Sequence, residues 1–583
     1  MSVSKYLLIS VFLIGLVSCK NSTDTPESIL HIRLKKDPDR LNPLLFPNPV
    51  AREVYQYIYV PLADYNPASL QLEPVLIQQM PEEIAIDTGI YKGGIAFDIE
   101  FREDARWDNG SPVTANDYIF TLKAINLPMT DAGKYRSFTE NITDIIPDPS
   151  DTRKCRVIFD KDYMLALETC TNLELYPQYF FDSLNILGAY PYNKFTDKNK
   201  KQLQEDKTLQ GFAESFNSTV YSRDKISGAG PYRFVSWTAD QNIVLEKKPD
   251  YWAKKTSISN LEQGPDKIIF HVIVDEITAL AQLKSGNIDV MNEVSSDAYN
   301  DLENDPVMKQ KLQFFHPSLT KQYYILINND DEILKDIHVR KALAHLIDTD
   351  NIINKFEHGK AVRTTGPVHP LKATNNSSLK PVAFDIEMAK NLLVSSGWSD
   401  SDRDGILDKM VQGKKQNLEI EILITGQELG KNIALLLQEN ARKAGIAIKI
   451  TEKDMKLIRS EHVRTRKYQL IPSILSQDVQ IWDDLSRWNS ANNTPDGAND
   501  IAYKNAETDQ LIDKIPSTKN ANERIELYKK IQQLIYDDQA CIFLYAPEER
   551  IIISGKWKAS ATSKRPGYMA NTFQYTGSTV PNQ

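Results

Sequence analysis

The chain has 583 residues, 41% hydrophobic and 25% charged, which fits several folded domain-sized units and argues against a small stapled module, a disordered chain or a polytopic membrane protein. Lys and Arg number 69 against 78 Asp and Glu, a net charge of −9 with no long basic block, so nucleic acid is not an expected partner. Four cysteines (Cys19, Cys155, Cys170, Cys541), with no C-x-x-C pair, are too few for a disulfide framework and do not spell a thiolate metal site.

In chain order, Lys5 precedes an apolar run from Tyr6 to Val17 broken only by Ser10 and Gly15. The run is too short for an ordinary spanning helix and has the shape of a secretory signal. Its end, Leu16-Val17-Ser18-Cys19, resembles the bacterial lipobox, which implies cleavage before Cys19 and a lipid on its sulfur. Lys20 to Ser28 reads as a flexible tether. In an exported protein Cys155 and Cys170 are able to pair or to stay reduced. Cys541, within Ala540-Cys541-Ile542-Phe543-Leu544, reads as a buried thiol.

Strands are expected at Leu30 to Leu34, Ala96 to Phe101, Ile243 to Lys247 and Ile268 to Val274, from alternating apolar residues. Thr114 and Asp117 have capping-box spacing and open a helix toward Lys123. Val339, Ala342, Leu343, Leu346 and Ile347 form one apolar helix face. Further on, Leu418, Ile420, Ile422 and Ile424 alternate, Ile433, Leu436, Leu437, Asn440, Ala441 and Ala444 follow helical spacing, Gly445 stops the helix, and Ile446, Ile448 and Ile450 alternate again. That is a β-α-β unit. The expected class is α/β (mixed α+β) in at least two lobes.

Enzyme signatures are missing: the sequence has no H-E-x-x-H, G-x-S-x-G or G-x-x-x-x-G-K-[ST], and its eight histidines include no i, i+4 pair. Asp400-Ser401-Asp402-Arg403-Asp404-Gly405 matches the first half of an EF-hand loop, and Asp408 suits the ninth position, but the twelfth is Val411 where a bidentate Glu is required. Asp400, Asp402, Asp404 and Asp408 are thus candidate calcium ligands, set against a solvated acidic turn. No other cofactor is expected.

Six segments in order carry a family resemblance. Arg106-Trp107-Asp108-Asn109-Gly110-Ser111-Pro112-Val113-Thr114-Ala115-Asn116-Asp117 comes first, followed by Gly228-Ala229-Gly230-Pro231-Tyr232 with Pro249-Asp250-Tyr251-Trp252, in which Lys248 stands where an Asn is usual. Then come Gly286-Asn287-Ile288-Asp289-Val290, the helix from Asp336-Ile337-His338-Val339-Arg340 to Ile347-Asp348, and Ala389-Lys390-Asn391-Leu392-Leu393 with Gly397-Trp398. The chain from roughly residue 30 to 553 resembles the family 5 extracellular solute-binding proteins, the oligopeptide and dipeptide receptors of ABC importers. Much of the signature reads as structural: Thr114 and Asp117 as caps, Trp252 and Trp398 as core, Asp289 and Arg340 as fold-supporting groups.

The resemblance implies a two-lobed, periplasmic-binding-protein-like clamp with an extra subdomain on the first lobe. Residues 1–18 would be the signal, 19–29 the lipidated cysteine and tether, 30–58, 195–325 and 548–583 lobe I, 59–194 the subdomain, and 326–547 lobe II. It also implies a peptide ligand, ABC permease subunits as partners, a monomeric exported lipoprotein facing the periplasm or cell exterior and held to the membrane by its lipid alone, and no chemistry of its own. A segment similar to Tyr503-Lys504-Asn505-Ala506-Glu507-Thr508-Asp509-Gln510-Leu511 follows, in the family, an aspartate that receives the peptide's ammonium; counting back, Asp478 matches it best. The aromatic that often precedes this aspartate is missing, and Trp482, Asp483, Asp484, Trp488 and Asn489 crowd the following stretch. Asp483 or Asp484 is the alternative anchor, and Trp482 or Trp488 lines a side-chain pocket, stacks on a sugar or fills core. The rival readings are the same fold binding an oligosaccharide or other solute, and an exported hydrolase working through paired carboxylates such as Asp483 and Asp484. Neighbouring residues point to different faces, which makes them a poor acid/base pair.

Overall fold

The structure, a computed structural model, describes residues 27–577 apart from 46, 161–162, 256, 478, 481 and 496. The signal segment, Cys19, most of the tether, and Asp478 therefore lie outside the described residues.

Alternation places the first strand. In Ile29–Leu34, Leu30, Ile32 and Leu34 are fully buried, and the strand runs parallel to Lys267–Val272, with Leu30 opposite Ile268 and Ile32 opposite Phe270. Both lie inside a seven-stranded sheet ordered Leu312–Phe315, Ile551–Ser554, Val290–Met291, Ile29–Leu34, Lys267–Val272, Asn242–Lys247, Tyr232–Thr238. A second, four-stranded sheet, ordered Glu83–Ala85, Ile95–Glu100, Lys154–Phe159, Ile142–Pro147, shares one apolar core with the first. Cys155 and Cys170 are buried free thiols in this region, and Cys541 is a third in the other lobe.

The β-α-β unit stands where its periodicity puts it. Glu419–Ile424 and Ala447–Glu452 pair in parallel, Ile420 opposite Ile448 and Ile422 opposite Ile450. The connecting helix Glu428–Lys443 buries Ile433, Leu437 and Ala441, each apolar side chain of Leu or Ile size contributing about 1.5–3 kcal/mol when fully buried. Gly445, at φ +81°, turns the chain out of the helix. These strands belong to a six-stranded sheet ordered Ala361–Arg363, Cys541–Pro547, Lys321–Ile327, Leu470–Ser476, Glu419–Ile424, Ala447–Glu452. One face packs on helix Ile337–His345 and Trp398, the other on Trp482, Trp488, Tyr503 and Tyr528.

Two lobes result, because the chain passes between the large sheets twice. It leaves the seven-stranded sheet after Phe315 and enters the six-stranded one at Lys321, then returns between Pro547 and Ile551. The crossings run side by side, Glu549 N donating to Pro317 O at 2.8 Å. Arg550, on the second crossing, reaches both lobes: Nη1 donates to Glu357 Oε2 and Nε to Val294 O, each at 2.8 Å. Met164 and Leu165, which follow the strand Lys154–Phe159 of the four-stranded sheet, pack against the cluster containing Trp482 and Tyr528.

Several signature segments meet in space for structural reasons. Gly230 N donates to Ile58 O at 2.8 Å and Tyr232 N to Tyr57 O at 3.0 Å, laying the glycine turn directly on that backbone. Lys248, at the position where an Asn is usual, is buried in contact with Asp108 and donates to Gly228 O at 2.8 Å. Trp252 Nε1 donates to Ala229 O at 2.9 Å. Thr114 N donates to Asp117 Oδ2 at 2.9 Å, opening helix Ala115–Asn126. Arg340 spends its guanidinium on the carbonyls of Leu334, Lys335 and Asp538, and Asp289 accepts from His31 N at 3.1 Å.

Candidate functional site

Strand Leu470–Ser476 is covered on one side and open on the other. It pairs antiparallel with Lys321–Ile327 along its whole length, from Ser476 opposite Lys321 to Leu470 opposite Ile327. Its opposite edge pairs only at Leu470, with Ile422. Alternate backbone groups of a strand face opposite edges, so among the described residues the Ile471–Ser476 edge turned away from Lys321–Ile327 has no strand partner. Exposed edges of this kind are ready templates for an added extended chain. Ile474 on this stretch is 51% exposed.

The strand's end is pinned to the lobe crossing. Gln477 N donates to Thr320 O at 2.8 Å, its Nε2 to Pro367 O at 3.1 Å, and its Oε1 accepts from His369 N at 3.2 Å. His369 is fully buried, and burial, with help from the Lys372 and Arg565 charges, lowers its pKa to about 4. The imidazole stays neutral at physiological pH.

Beside the open edge lies a cavity of about 810 Å³, walled by Leu475, Ser476, Gln477, Tyr324, Phe543 and Trp488 on the sheet side and by Arg459, Arg464, Arg466, Asp483, Asp484, Arg487 and Asp500 around it. Arg459 and Val463 reach it from a one-turn π-helix, Ile458–Val463, anchored by buried Ile458. Wide turns of this type are frequent at functional positions. Arg487 pairs with Asp500 at 3.0 Å and also donates to the Tyr324 hydroxyl. Burial raises the Asp500 pKa, opposed by Arg487 and Arg466.

The expected ligand residues separate here. Asp483 is buried against the ammonium of Lys372, the two side chains being 7% and 3% exposed, so its charge is neutralised from within the lobe. Asp484 points elsewhere, accepting from Ser486 N and Oγ at 2.8 Å each. The Trp482 ring packs on Tyr528 and under Arg524, outside the cavity wall. Trp488 forms part of the wall while packing on Tyr503 and Phe543. Asn489 is engaged with Asp513 at 3.1 Å and caps Ala491 N at 2.9 Å. The cavity's arginines and Tyr324 were not singled out from sequence; a dense basic stretch, Arg459 to Lys467, was the available signal in a net-acidic chain.

At the acidic turn, carboxylate oxygens of Asp400, Asp402 and Asp408 lie within 4.8 Å of one another, and Asp404 is not in that group. Lys415 contacts Asp402 and lies 3.3 Å from Asp408. Asp400 accepts from the Asp404 and Gly405 amides at 3.2 and 3.1 Å, and Val411 is in strand Asp408–Val411. The loop is organised by its own bonds and carries an internal cation, so a metal ion would compete with Lys415.

The family description "bacterial extracellular solute-binding proteins, family 5 Middle" matches residues 88–505. The oligopeptide-binding protein AppA of Bacillus subtilis is 25% identical over 462 residues, 79% of this chain and 77% of that protein. The periplasmic oligopeptide-binding protein OppA of Salmonella typhimurium is 24% identical over 497 residues, 80% of this chain and 79% of that protein. Among solved structures, AppA from Bacillus subtilis in complex with a nonapeptide superposes with a TM-score of 0.67 at 22% identity, covering 94% of this chain and all (100%) of that one. NikA from Brucella suis in complex with Fe(III)-EDTA gives 0.71 at 19% identity, covering 94% and 100%.

Proposed function

The chain belongs to the bacterial extracellular solute-binding proteins of family 5, and from that premise we propose that it is the peptide receptor of an ABC importer, capturing an extended peptide between two closing lobes and presenting it to a membrane permease. The observation that carries the peptide is the unpaired Ile471–Ser476 edge beside a roomy cavity: an extended peptide satisfies the free backbone groups while its side chains project into space large enough to be permissive. The named relatives AppA and OppA bind oligopeptides, which supports the same reading. Asp478 follows Gln477 directly in sequence, and we assign it to the peptide's ammonium. Charge-assisted pairing in an enclosed cleft makes that contact strong.

The rivals are less well supported. Trp482 packs on Tyr528 and under Arg524 outside the cavity wall, and Trp488 packs on Tyr503 and Phe543, so the pair does not form a stacking platform for a sugar. Asp483 is neutralised by Lys372 and Asp484 is tied into its own turn, so the two do not form an acid/base pair. In this reading Cys19 carries the lipid and the body faces the periplasm or cell exterior. We place the lobe crossings at 316–320 and 548–550, which keeps Lys321–Ile327 whole in the six-stranded sheet and moves the first boundary a few residues ahead of 325. Calorimetric titration with short peptides tests the reading: peptides with a free N-terminus bind the parent protein, and Asp478→Ala abolishes their binding while the melting temperature is retained. Equal affinity in the variant refutes the anchor, and a failure of every peptide to bind the parent refutes the function.

A further inference from the structure

We propose that a second cavity, beside the four-stranded sheet, is a binding site for a small carboxylate with an apolar body, whose charge is received by Lys123. This site is independent of the peptide reading above.

The cavity, of about 580 Å³, opens between helix Ala115–Asn126, the edge strand Ile142–Pro147 and the segment holding Leu187 and Tyr192. It shares no wall residue with the cavity beside the open strand edge, and its volume is in the range of about 300–1,000 Å³ typical of small-molecule sites. Ile119, Phe120, Ile145, Ile146, Leu187 and Tyr192 give it an apolar side.

Lys123 stands in this wall with 6% of its surface exposed. Its Nζ donates to Leu187 O at 3.0 Å and lies 5.9 Å from the centre of the Phe195 ring. An ammonium has three N–H donors, and among the described residues this one has a single hydrogen-bond acceptor and no ion pair. Asp182 acts on it only from a distance, since its oxygens accept from Ile186 N and Leu187 N at 2.7 and 2.9 Å. Burial lowers the Lys123 pKa to about 8, opposed by Asp182. The carboxylate in the wall, Asp144, is engaged as well: Oδ2 accepts from the Tyr91 hydroxyl at 2.5 Å and Asn193 Nδ2 at 3.3 Å, and Oδ1 from Ile145 N at 2.8 Å.

A buried charge with unused donors carries a desolvation cost that nothing in the wall offsets. A carboxylate offsets it, because two oxygens match the two remaining N–H groups in charge-assisted bonds. The apolar side then buries a hydrocarbon body, at about fourfold in affinity per methylene. A more highly charged anion gains less from that side and is repelled by Asp144, and a cation is repelled by Lys123.

Titration calorimetry of the full chain with hexanoate, octanoate and 1-octanol tests this. Octanoate is expected to bind more tightly than hexanoate, and roughly tenfold or more tightly than 1-octanol. Lys123→Met should bring octanoate down to the level of 1-octanol without lowering the melting temperature, since a lysine held only for the fold would be missed. Ile146, on the edge strand, is 46% exposed, so Ile146→Asp tests the site without disturbing the core; its carboxylate should weaken octanoate more than 1-octanol. The proposal is overturned if neither carboxylate binds, if 1-octanol binds as tightly as octanoate, or if octanoate keeps its full affinity in Ile146→Asp or in a folded Lys123→Met protein.

Discussion

Replacing Lys372 by Met removes the ammonium that faces Asp483, a residue 111 positions away in sequence. Both side chains are nearly inaccessible, at 3% and 7% exposure, and the Asp483 carbonyl accepts from the Tyr528 hydroxyl at 2.6 Å, so the loop between Trp482 and Trp488 has little room to swing its carboxylate into water. Breaking one side of a buried pair costs about 3 to 5 kcal/mol, whereas replacing both partners with neutral groups of similar size costs much less. At about 2.1 cal/mol/K of unfolding entropy per residue, 583 residues give about 1.2 kcal/mol/K, so Lys372→Met lowers the melting temperature by about 3 to 4 °C and Lys372→Met with Asp483→Asn by about 1 °C. A smaller cooperative unit would shift further in proportion. Differential scanning calorimetry of the parent, both single variants and the double variant reads this directly. A Lys372→Met protein that melts within 1 °C of the parent, or a double variant less stable than the single, refutes the ion-pair argument.

Further predictions come from neighbouring features. His369 has a folded pKa of about 4 against an ordinary value of 6.5, so its contribution of about 3 kcal/mol is full above pH 6.5 and is lost as pH falls through 4; urea titrations across that range should show the loss, and His369→Gln should flatten it. In Gly228→Ala the new Cβ would lie 2.1 Å from the Ile58 carbonyl oxygen, costing about 1 to 3 kcal/mol, while Gly211→Ala, in helix Lys207–Asn217 with open space around it, should be neutral or stabilising by up to about 1 kcal/mol; equal melting temperatures for the two variants would contradict the close-approach explanation. With Lys415 already beside Asp402 and Asp408, millimolar calcium should leave the melting temperature unchanged, and a rise of several degrees would show that the ion displaces the lysine.

Elements with strong local periodicity were legible from residues alone. The strand around Leu30, Ile32 and Leu34, the capped helix after Thr114 and the β-α-β unit from Leu418 to Ile450 occupy the expected places, because alternation and helical spacing are properties of neighbouring residues. The signature segments were legible as segments, but their reasons were not. Only in space do Asp108, Gly228 and Lys248 form one cluster, which explains why a lysine stands where an Asn is usual. The aromatic residues near the site misdirect a linear reading, since Trp482 is consumed by Tyr528 and Arg524.

Short-range pattern thus determined the class of fold and the place of its most periodic elements, and the resemblance of six segments pointed to the family. The tertiary structure decided which groups have capacity left for a ligand. Asp483 looks available in sequence, yet Lys372 neutralises it; Asp500 looks equally free, yet Arg487 pairs with it. Strand Leu470–Ser476 shows its unpaired edge only when its two sides are compared in the folded sheet. Periodicity reflects contacts a few residues apart, while the balance of charge and backbone pairing at a site sums contributions from residues more than a hundred positions apart, and only folding brings those together.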